Sequence, residues 1–500
     1  MKPRSAHVSG ETPPSVGKAA LWATAAKWFD VAGSAIAFLI LARMLGPETF
    51  GLYGVILLAA LIPETLIGGS LSEALIQKRE LEDAHVSGVF WLQAILAGLM
   101  AALLALIAPH IGALFERDEL AQLLPVFACA LLPLAMSAAP AAVLQREFRF
   151  GSIAAVDAAA SLGAGAVGVA LALTGFGIWA LIWMEIARRC VRLAGFMLAA
   201  RWLPGLAVKL RHVLELWRFS AATLATRIVS QTDNAIPRLF LGLVDVTALG
   251  YFSLAQRLFQ QASALILAPF NALALPMSAH LQQHSDRLRQ MLEDATRLAA
   301  LVSYPLFIGG AAIAPLAIPL LFGSAWAPAV PAVQIMLLLG VRAATASFNG
   351  AVLRGVGLPG QHLLIVAAGA VFLLLVAPIA AQWGIAAMAA AVLLRGLLTW
   401  AIGAALVQRA IGYPAPKQVF VGWQSLVAAG GSAVFVLWLH ALLAGALNAW
   451  LLLAVLVASG AVAHLLALAL LSPQAAKRLL NLLRARWSGR ARPLASAERL

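Results

Sequence analysis

Residues 361–410 read QHLLIVAAGAVFLLLVAPIAAQWGIAAMAAAVLLRGLLTWAIGAALVQRA. A helix that crosses a bilayer needs about 20 mostly apolar residues. This stretch holds two such runs, 361–381 and 384–410, separated by little more than Gln382-Trp383-Gly384. A connection that short forces the two helices to lie antiparallel as neighbours in a bundle. Working outward, the same reading gives fourteen runs, at 20–45, 51–77, 85–108, 120–144, 152–174, 176–199, 217–243, 248–279, 295–322, 329–353, 361–381, 384–410, 419–442 and 447–471. No sizeable soluble domain fits between them. Composition agrees: the 500 residues are 62% hydrophobic and 11% charged, where a water-soluble chain carries about 25% charged residues. The expected fold is an all-α polytopic membrane protein with about fourteen transmembrane helices. Two cysteines, Cys129 and Cys190, exclude a disulfide framework and a multi-cysteine metal centre.

The net charge of +14 would suggest nucleic acid in a soluble chain. In a membrane protein it reports topology, because Lys and Arg accumulate on cytoplasmic loops. An even number of spans puts both termini on one side. That side collects Lys2, Arg4 and Lys18, then Lys78, Arg79, Arg146 and Arg149, a group of seven that includes Arg188, Arg189, Arg192 and Arg201, the Arg287–Arg297 set, Arg354, Arg409, Lys417 and the tail. Twenty-seven of the 35 basic residues fall there and only Arg43 and Arg117 on the other side. Both termini are therefore expected in the cytoplasm, and no nucleic-acid partner is expected. Residues 1–19 read as a cytoplasmic tail ahead of a true first span rather than a cleaved signal. Residues 472–500 form a basic tail in which Leu479, Leu480, Leu483 and Trp487 share a helical stripe, the pattern of an interfacial helix.

The chain carries an internal echo. Arg43-Met44-Leu45-Gly46-Pro47-Glu48-Thr49-Phe50-Gly51-Leu52-Tyr53 is matched by Arg238-Leu239-Phe240-Leu241-Gly242 followed by Leu249-Gly250-Tyr251-Phe252. Ala142-Val143-Leu144-Gln145 is matched by Ala351-Val352-Leu353-Arg354. These offsets equal the length of six helices, so the expected architecture is two six-helix lobes in parallel repeat, 20–200 and 217–411. Residues 201–216 would be the cytoplasmic connection between the lobes, and 419–471 two appended helices.

With Leu144-Gln145-Arg146-Glu147-Phe148-Arg149-Phe150 and Leu249-Gly250-Tyr251-Phe252-Ser253-Leu254-Ala255 beside Leu45–Tyr53, the sequence resembles polysaccharide flippases of the multidrug/oligosaccharidyl-lipid/polysaccharide exporter superfamily. The likeness is greatest to O-antigen, exopolysaccharide and teichuronic-acid exporters, and it runs over roughly residues 20–411. The resemblance implies alternating access and transfer of a prenyl-diphosphate-linked oligosaccharide across the bacterial inner membrane, for surface polysaccharide biosynthesis. It implies no enzyme activity and no cofactor, with polysaccharide polymerase or assembly proteins as partners.

Charges inside the spans carry the functional reading, since each costs at least ~2.5–3.5 kcal/mol to place at bilayer depth. The basic set is Lys27, Arg227, Arg238, Arg257, Arg342 and Arg395; the acidic set is Asp30, Glu64 and Asp233, with Glu185 beside Arg188 and Arg189 near a cytoplasmic end. Arg227, Gln231 and Asn234 recur at i, i+4 and i+7, which gives the seventh span a polar stripe. Arginine's planar fork suits a diphosphate, so Lys27, Arg227, Gln231, Asn234, Arg257, Arg342 and Arg395 are the candidate cavity residues. Arg227, Arg257, Arg342 and Arg395 show no local acid. Arg238, near an outer helix end, reads as snorkelling. Lys27 and Asp30, three apart, are able to pair. Asp30, Glu64 and Asp233 are candidates for coupling to H⁺ or Na⁺, or for serving as counter-ions to arginines. No nucleotide-binding G-x-x-x-x-G-K-[ST] segment occurs, and the histidines lack metal-site spacing. Tryptophans such as Trp22, Trp179, Trp326, Trp383 and Trp450 fall near helix ends, as an interfacial belt would place them. The rival readings are a drug or organic-cation antiporter of the same superfamily, which a basic cavity disfavours, and a peptidoglycan-precursor flippase.

Overall fold

The computed structural model describes residues 16–68, 72, 75, 76, 82–205, 231 and 233–473, with the backbone alone at 16–32, 268–273, 344 and 347. The expected all-α membrane fold is what the chain forms. Among the described residues there is no strand, and ten helices are long and apolar enough to cross a membrane. The N-terminal tail, the basic tail from residue 474 and most of the 201–216 connection lie outside the described residues.

The chain divides into two compact units, Met1–Gln231 and Thr232–Leu500. The first contains α1 (Val16–Ile67), α2 (Asp83–Leu114), α3 (Leu120–Ala128), α4 (Leu131–Arg146), α5 (Phe150–Leu173) and α6 (Ile178–Ala200). Two runs read separately in the sequence, 20–45 and 51–77, join in α1, which kinks at Gly46 (φ 75°, ψ 173°). Glycine adopts that positive φ without a Cβ penalty, and Pro47 suits a new helical start because its missing N–H is not needed there. The run 120–144 is instead split after Ala128. Pro133 has no N–H for the carbonyl four residues back, at Cys129, and its ring crowds that carbonyl.

Lipid supplies no hydrophobic drive between helices, so close backbone approach and side-chain packing must hold the bundle. α5 follows that rule on both faces. A Cβ on Gly165 would stand 2.9 Å from the Ala37 side chain of α1, and one on Gly168 3.0 Å from Met184 of α6.

The second unit contains α7 (233–244), α8 (Val246–His280), α9 (Ser285–Phe322), a 3₁₀ turn at Ser324–Ala329, α10 (Val330–Gly355), α11 (Pro359–Gln382), α12 (Ile385–Ile411), the short α13 (Ala415–Phe420), α14 (Trp423–Leu443) and α15 (Ala449–Leu471). α10 is central: it packs on α8, α9 and α12, around a core that includes Phe307, Phe348, Val352, Leu353 and Val407. A Cβ on Gly340 would fall 2.2 Å from the Phe307 ring, which is how closely α9 and α10 meet. The two last spans, which the sequence left unplaced, pack on each other and on α9.

The echoed Gly-Tyr elements sit in matching surroundings. Tyr53 makes an edge contact with Phe127 of α3, ring centroids 6.4 Å apart. Tyr251 does the same with Trp326 at 6.0 Å and donates to the Ala325 carbonyl. Each partner lies about 75 residues downstream of its tyrosine, at the entry to the corresponding span. Trp326 is thus no belt residue: it is 1% exposed, in the core beside Phe322. Trp383 and Trp450 are exposed, as a belt requires.

The far end of α12 is pinned by Arg289 of α9, whose Nε donates to the Ile411 carbonyl at 2.6 Å. The helix stops there because Gly412 turns left-handed (φ +68°) and a Cβ on it would meet Arg289 Nη2 at 2.5 Å. Gly412→Ala should therefore destabilise the unit by about 1 kcal/mol or more. The check is the thermal midpoint of the purified variant in detergent; an unchanged midpoint would remove Arg289 as the pin.

Candidate functional site

Among the described residues each unit holds a buried polar constellation, and the two differ in how far their charges are spent. In the first unit α6 carries Glu185, Arg188, Arg189 and Arg192 on successive turns near its middle. The helix is 23 residues, about 34 Å, long.

Arg189 is fully engaged. Its Nη2 reaches Glu64 at 2.5 Å and its Nε reaches Glu185 at 2.6 Å. Its Nη1 donates to the Ala130 carbonyl at 3.4 Å, and its guanidinium lies over the Phe127 ring at 5.4 Å. Arg188 adds a bidentate pair to Glu185, at 2.6 and 2.9 Å. Arg192 pairs with Asp157 of α5 at 2.8 Å. Glu64, a candidate for ion coupling, therefore stands as a counter-ion here. The network ties α1, α5 and α6 together, reaches the α3–α4 junction at Ala130, and spends the whole Arg189 guanidinium.

The second unit is arranged differently. α10, α11 and α12 enclose a crevice of about 220 Å³ lined by Arg342, Asn349, Arg354, His362, Arg395 and Thr399, with apolar Ala346, Ile365 and Val366 between them. Helical spacing explains the convergence: Arg342, Ala346 and Asn349 share a face of α10, and Arg395, Thr399 and Gly403 a face of α12. From Arg354 to Arg342 is twelve residues, so the crevice runs about 18 Å from the end of α10 to its middle. Arg354 is exposed at the mouth, and Asn349 and Thr399 are buried.

Glycines make the room. A Cβ on Gly369 would come 3.1 Å from Arg395 Nε, and one on Gly403 3.1 Å from Asn349 Nδ2.

The hydrogen-bonding capacity of this crevice is largely unspent. Among the described residues, Arg342 has no acidic partner and its buried Nε has no hydrogen bond. Asn349 is 3% exposed, and both its amide nitrogen and oxygen are without partners. Arg395, read from sequence as lacking an acid, pairs with Asp233, which arrives from α7. The pair is single-pronged: Nη2 meets Oδ2, while Arg395 Nε and Asp233 Oδ1 are buried without partners. Among the described residues, three arginines against one carboxylate make the crevice a place for an anion.

The other sequence candidates are scattered. Gln231 and Asn234 are exposed and Arg257 is half-buried, and none of them lines the crevice. Arg238 is half-buried and donates to the Asn234 carbonyl. Arg227 and the side chains of Lys27 and Asp30 lie outside the described residues. Asn349, Arg354, His362 and Thr399 went unread as site residues. The i, i+7 spacing of Arg342 with Asn349 and the i, i+4 spacing of Arg395 with Thr399 were the available signal.

The fold is that of a polytopic all-α membrane protein. It is similar to the solved lipid II flippase MurJ in an inward closed conformation, with a TM-score of 0.72 at 14% identity, over 90% of this chain and 98% of that one. At that identity the likeness speaks to fold alone. The chain belongs to the family described as polysaccharide biosynthesis protein, which matches residues 40–331, and the resemblance read from Leu45–Tyr53 and its echoes is borne out. It is 31% identical over 305 residues to the succinoglycan biosynthesis transport protein ExoT of Rhizobium meliloti (strain 1021), covering 60% of this chain and 61% of ExoT. It is 24% identical over 288 residues to the teichuronic acid biosynthesis protein TuaB of Bacillus subtilis (strain 168), covering 57% of this chain and 59% of TuaB. The matches span about three fifths of the length of these two relatives.

Proposed function

We propose that this protein moves a prenyl-diphosphate-linked oligosaccharide across the bacterial inner membrane by alternating access, supplying surface polysaccharide biosynthesis. The observation that carries the reading is the basic crevice of the second unit, whose Arg342 is buried without an acid among the described residues. A charge kept at that cost in a spanning helix needs a ligand of opposite sign, and a diphosphate matches the planar fork of arginine. Family membership supports the cargo class. An organic cation would meet three arginines and one carboxylate, which disfavours the antiporter reading.

Lys27, Arg227, Gln231, Asn234 and Arg257 are proposed to contribute to the cargo path together with Arg342 and Arg395. Both termini are proposed to lie in the cytoplasm, supported by the 27 basic residues assigned to their side against Arg43 and Arg117 on the other. The two lobes are placed at 20–200 and 217–411, with 419–471 appended; division of the chain near residue 231 supports two lobes. Asp30, Glu64 and Asp233 are proposed to couple H⁺ or Na⁺ or to serve as counter-ions to arginines; the pairing of Glu64 with Arg189 supports the second role for Glu64. A polymerase acting on the delivered units is the partner this role requires.

The test is mass spectrometry of prenyl-linked lipids extracted from a strain lacking the protein. One diphosphate-linked oligosaccharide should accumulate, with surface polysaccharide lost. Normal prenyl-lipid levels together with changed efflux of cationic dyes would overturn the reading in favour of the antiporter.

A further inference from the structure

We infer that Asp233 is a tethered competitor for the cargo's oxyanion at Arg395, keeping the crevice weak enough to release what it binds. The inference rests on the proposed function for the identity of the natural ligand and on the crevice alone for the chemistry.

The chemistry starts from the donors that the protein leaves unspent. Arg342 Nε, Arg395 Nε and the Asn349 amide are buried in one crevice without hydrogen-bond partners. Each buried group left unpaired costs stability. Two guanidinium groups and an amide N–H are the donor set that a phosphoryl group accepts from, and arginine does so bidentately where the oxygens allow. A volume of about 220 Å³ corresponds to roughly seven water molecules. That is room for a phosphate or a diphosphate.

Among the described residues, Asp233 is the one carboxylate paired with this set, and it is held there only through Oδ2 on Arg395 Nη2. A carboxylate and a phosphoryl group are alternative ligands for the same fork. The present contact uses half of what either partner has available, since Oδ1 and Nε are both unspent. An incoming oxyanion bridging Arg342 and Arg395 therefore displaces a single-pronged contact rather than a bidentate one. Position favours the exchange: Asp233 comes from α7, whereas both arginines and Asn349 lie on α10 and α12. A purely positioning role would have the opposite sign, because an anion would then bind best with the carboxylate in place.

The experiment is calorimetric titration of the full-length protein in detergent with inorganic pyrophosphate. Asp233→Asn keeps the shape and an acceptor for Arg395 while removing the charge, and should bind pyrophosphate about tenfold tighter than the unmodified protein. Arg342→Gln should lose saturable binding. Asp233→Ser serves if the asparagine variant does not fold, with the same expected tightening. Equal or weaker binding in the folded Asp233 variant overturns the competitor role, as does pyrophosphate binding that is indifferent to Arg342. Displacement of pyrophosphate by phosphatidylglycerol at equal concentration would overturn the diphosphate assignment in favour of a bilayer headgroup. Lipid accumulation in the deletion strain alongside a failed titration would leave the transport reading standing and remove only this site.

Discussion

Arg189→Leu is expected to abolish accumulation of folded protein in the membrane. Arg189 is 5% exposed at mid-helix, and it satisfies two carboxylates and a backbone carbonyl at once. Removing one partner of a buried ion pair costs about 3–5 kcal/mol, because the other charge is left uncompensated. Here Glu64 would lose its guanidinium, and Glu185 would keep only Arg188. Glu64 is 29% exposed at its side chain, so some of its charge can find water, and the lower end of that range is the safer figure. A loss of about 3 kcal/mol is a large share of a typical folding free energy of 5–15 kcal/mol. The compensating variant separates charge from packing: Glu64→Gln and Glu185→Gln added to Arg189→Leu should recover part of the yield, since replacing a whole buried ionic set is often close to neutral. Fluorescence-detected size-exclusion of tagged variants reads both effects. A monodisperse, normally melting Arg189→Leu protein would show that the network is dispensable.

The contrast between the two constellations also shows what a sequence can yield for such a chain. The spans were legible because spanning length and hydrophobicity are local properties: runs such as 361–381 and 384–410 became α11 and α12 almost residue for residue. The kink at Gly46 went unread, because the apolar runs on either side of the Gly46-Pro47 step read as two separate helices. Charge partners were poorly legible, because the pairs that matter are long-range. Glu64 meets Arg189 across 125 residues, and Arg395 meets an aspartate brought from the far end of the same unit. Spacing along one helix finds neighbours at three and four residues, so it offered Lys27 with Asp30 and could not offer these. The crevice was half-read for a related reason. Its arginines stood out as costly, whereas Asn349 and Thr399 are ordinary in a sequence and become informative only when burial removes their alternatives.

Arg342→Gln should reduce polysaccharide export at least tenfold while leaving the protein as stable as before, or more so. The two halves of that expectation have one cause. Among the described residues Arg342 gains no ion pair, and its Nε is buried without a hydrogen bond, so it adds cost without a visible return in stability. Glutamine keeps a polar side chain of moderate length and removes the charge. Arg342→Lys should be intermediate, since an ammonium supplies charge without the planar fork. Asn349→Leu extends the argument to a neutral residue: both amide atoms are unpaired and the residue is 97% buried by its 3% exposure. An apolar replacement should raise the thermal midpoint and lower export. Residues that merely hold helices together give the reverse pattern, as Arg189 is expected to, with yield and activity falling in step. The measurements are export of surface polysaccharide from a complemented deletion strain and the melting midpoint of the same variants in detergent. If Arg342→Gln exports normally, the crevice does not handle cargo; if it unfolds, Arg342 is a structural residue and the anion must be held elsewhere.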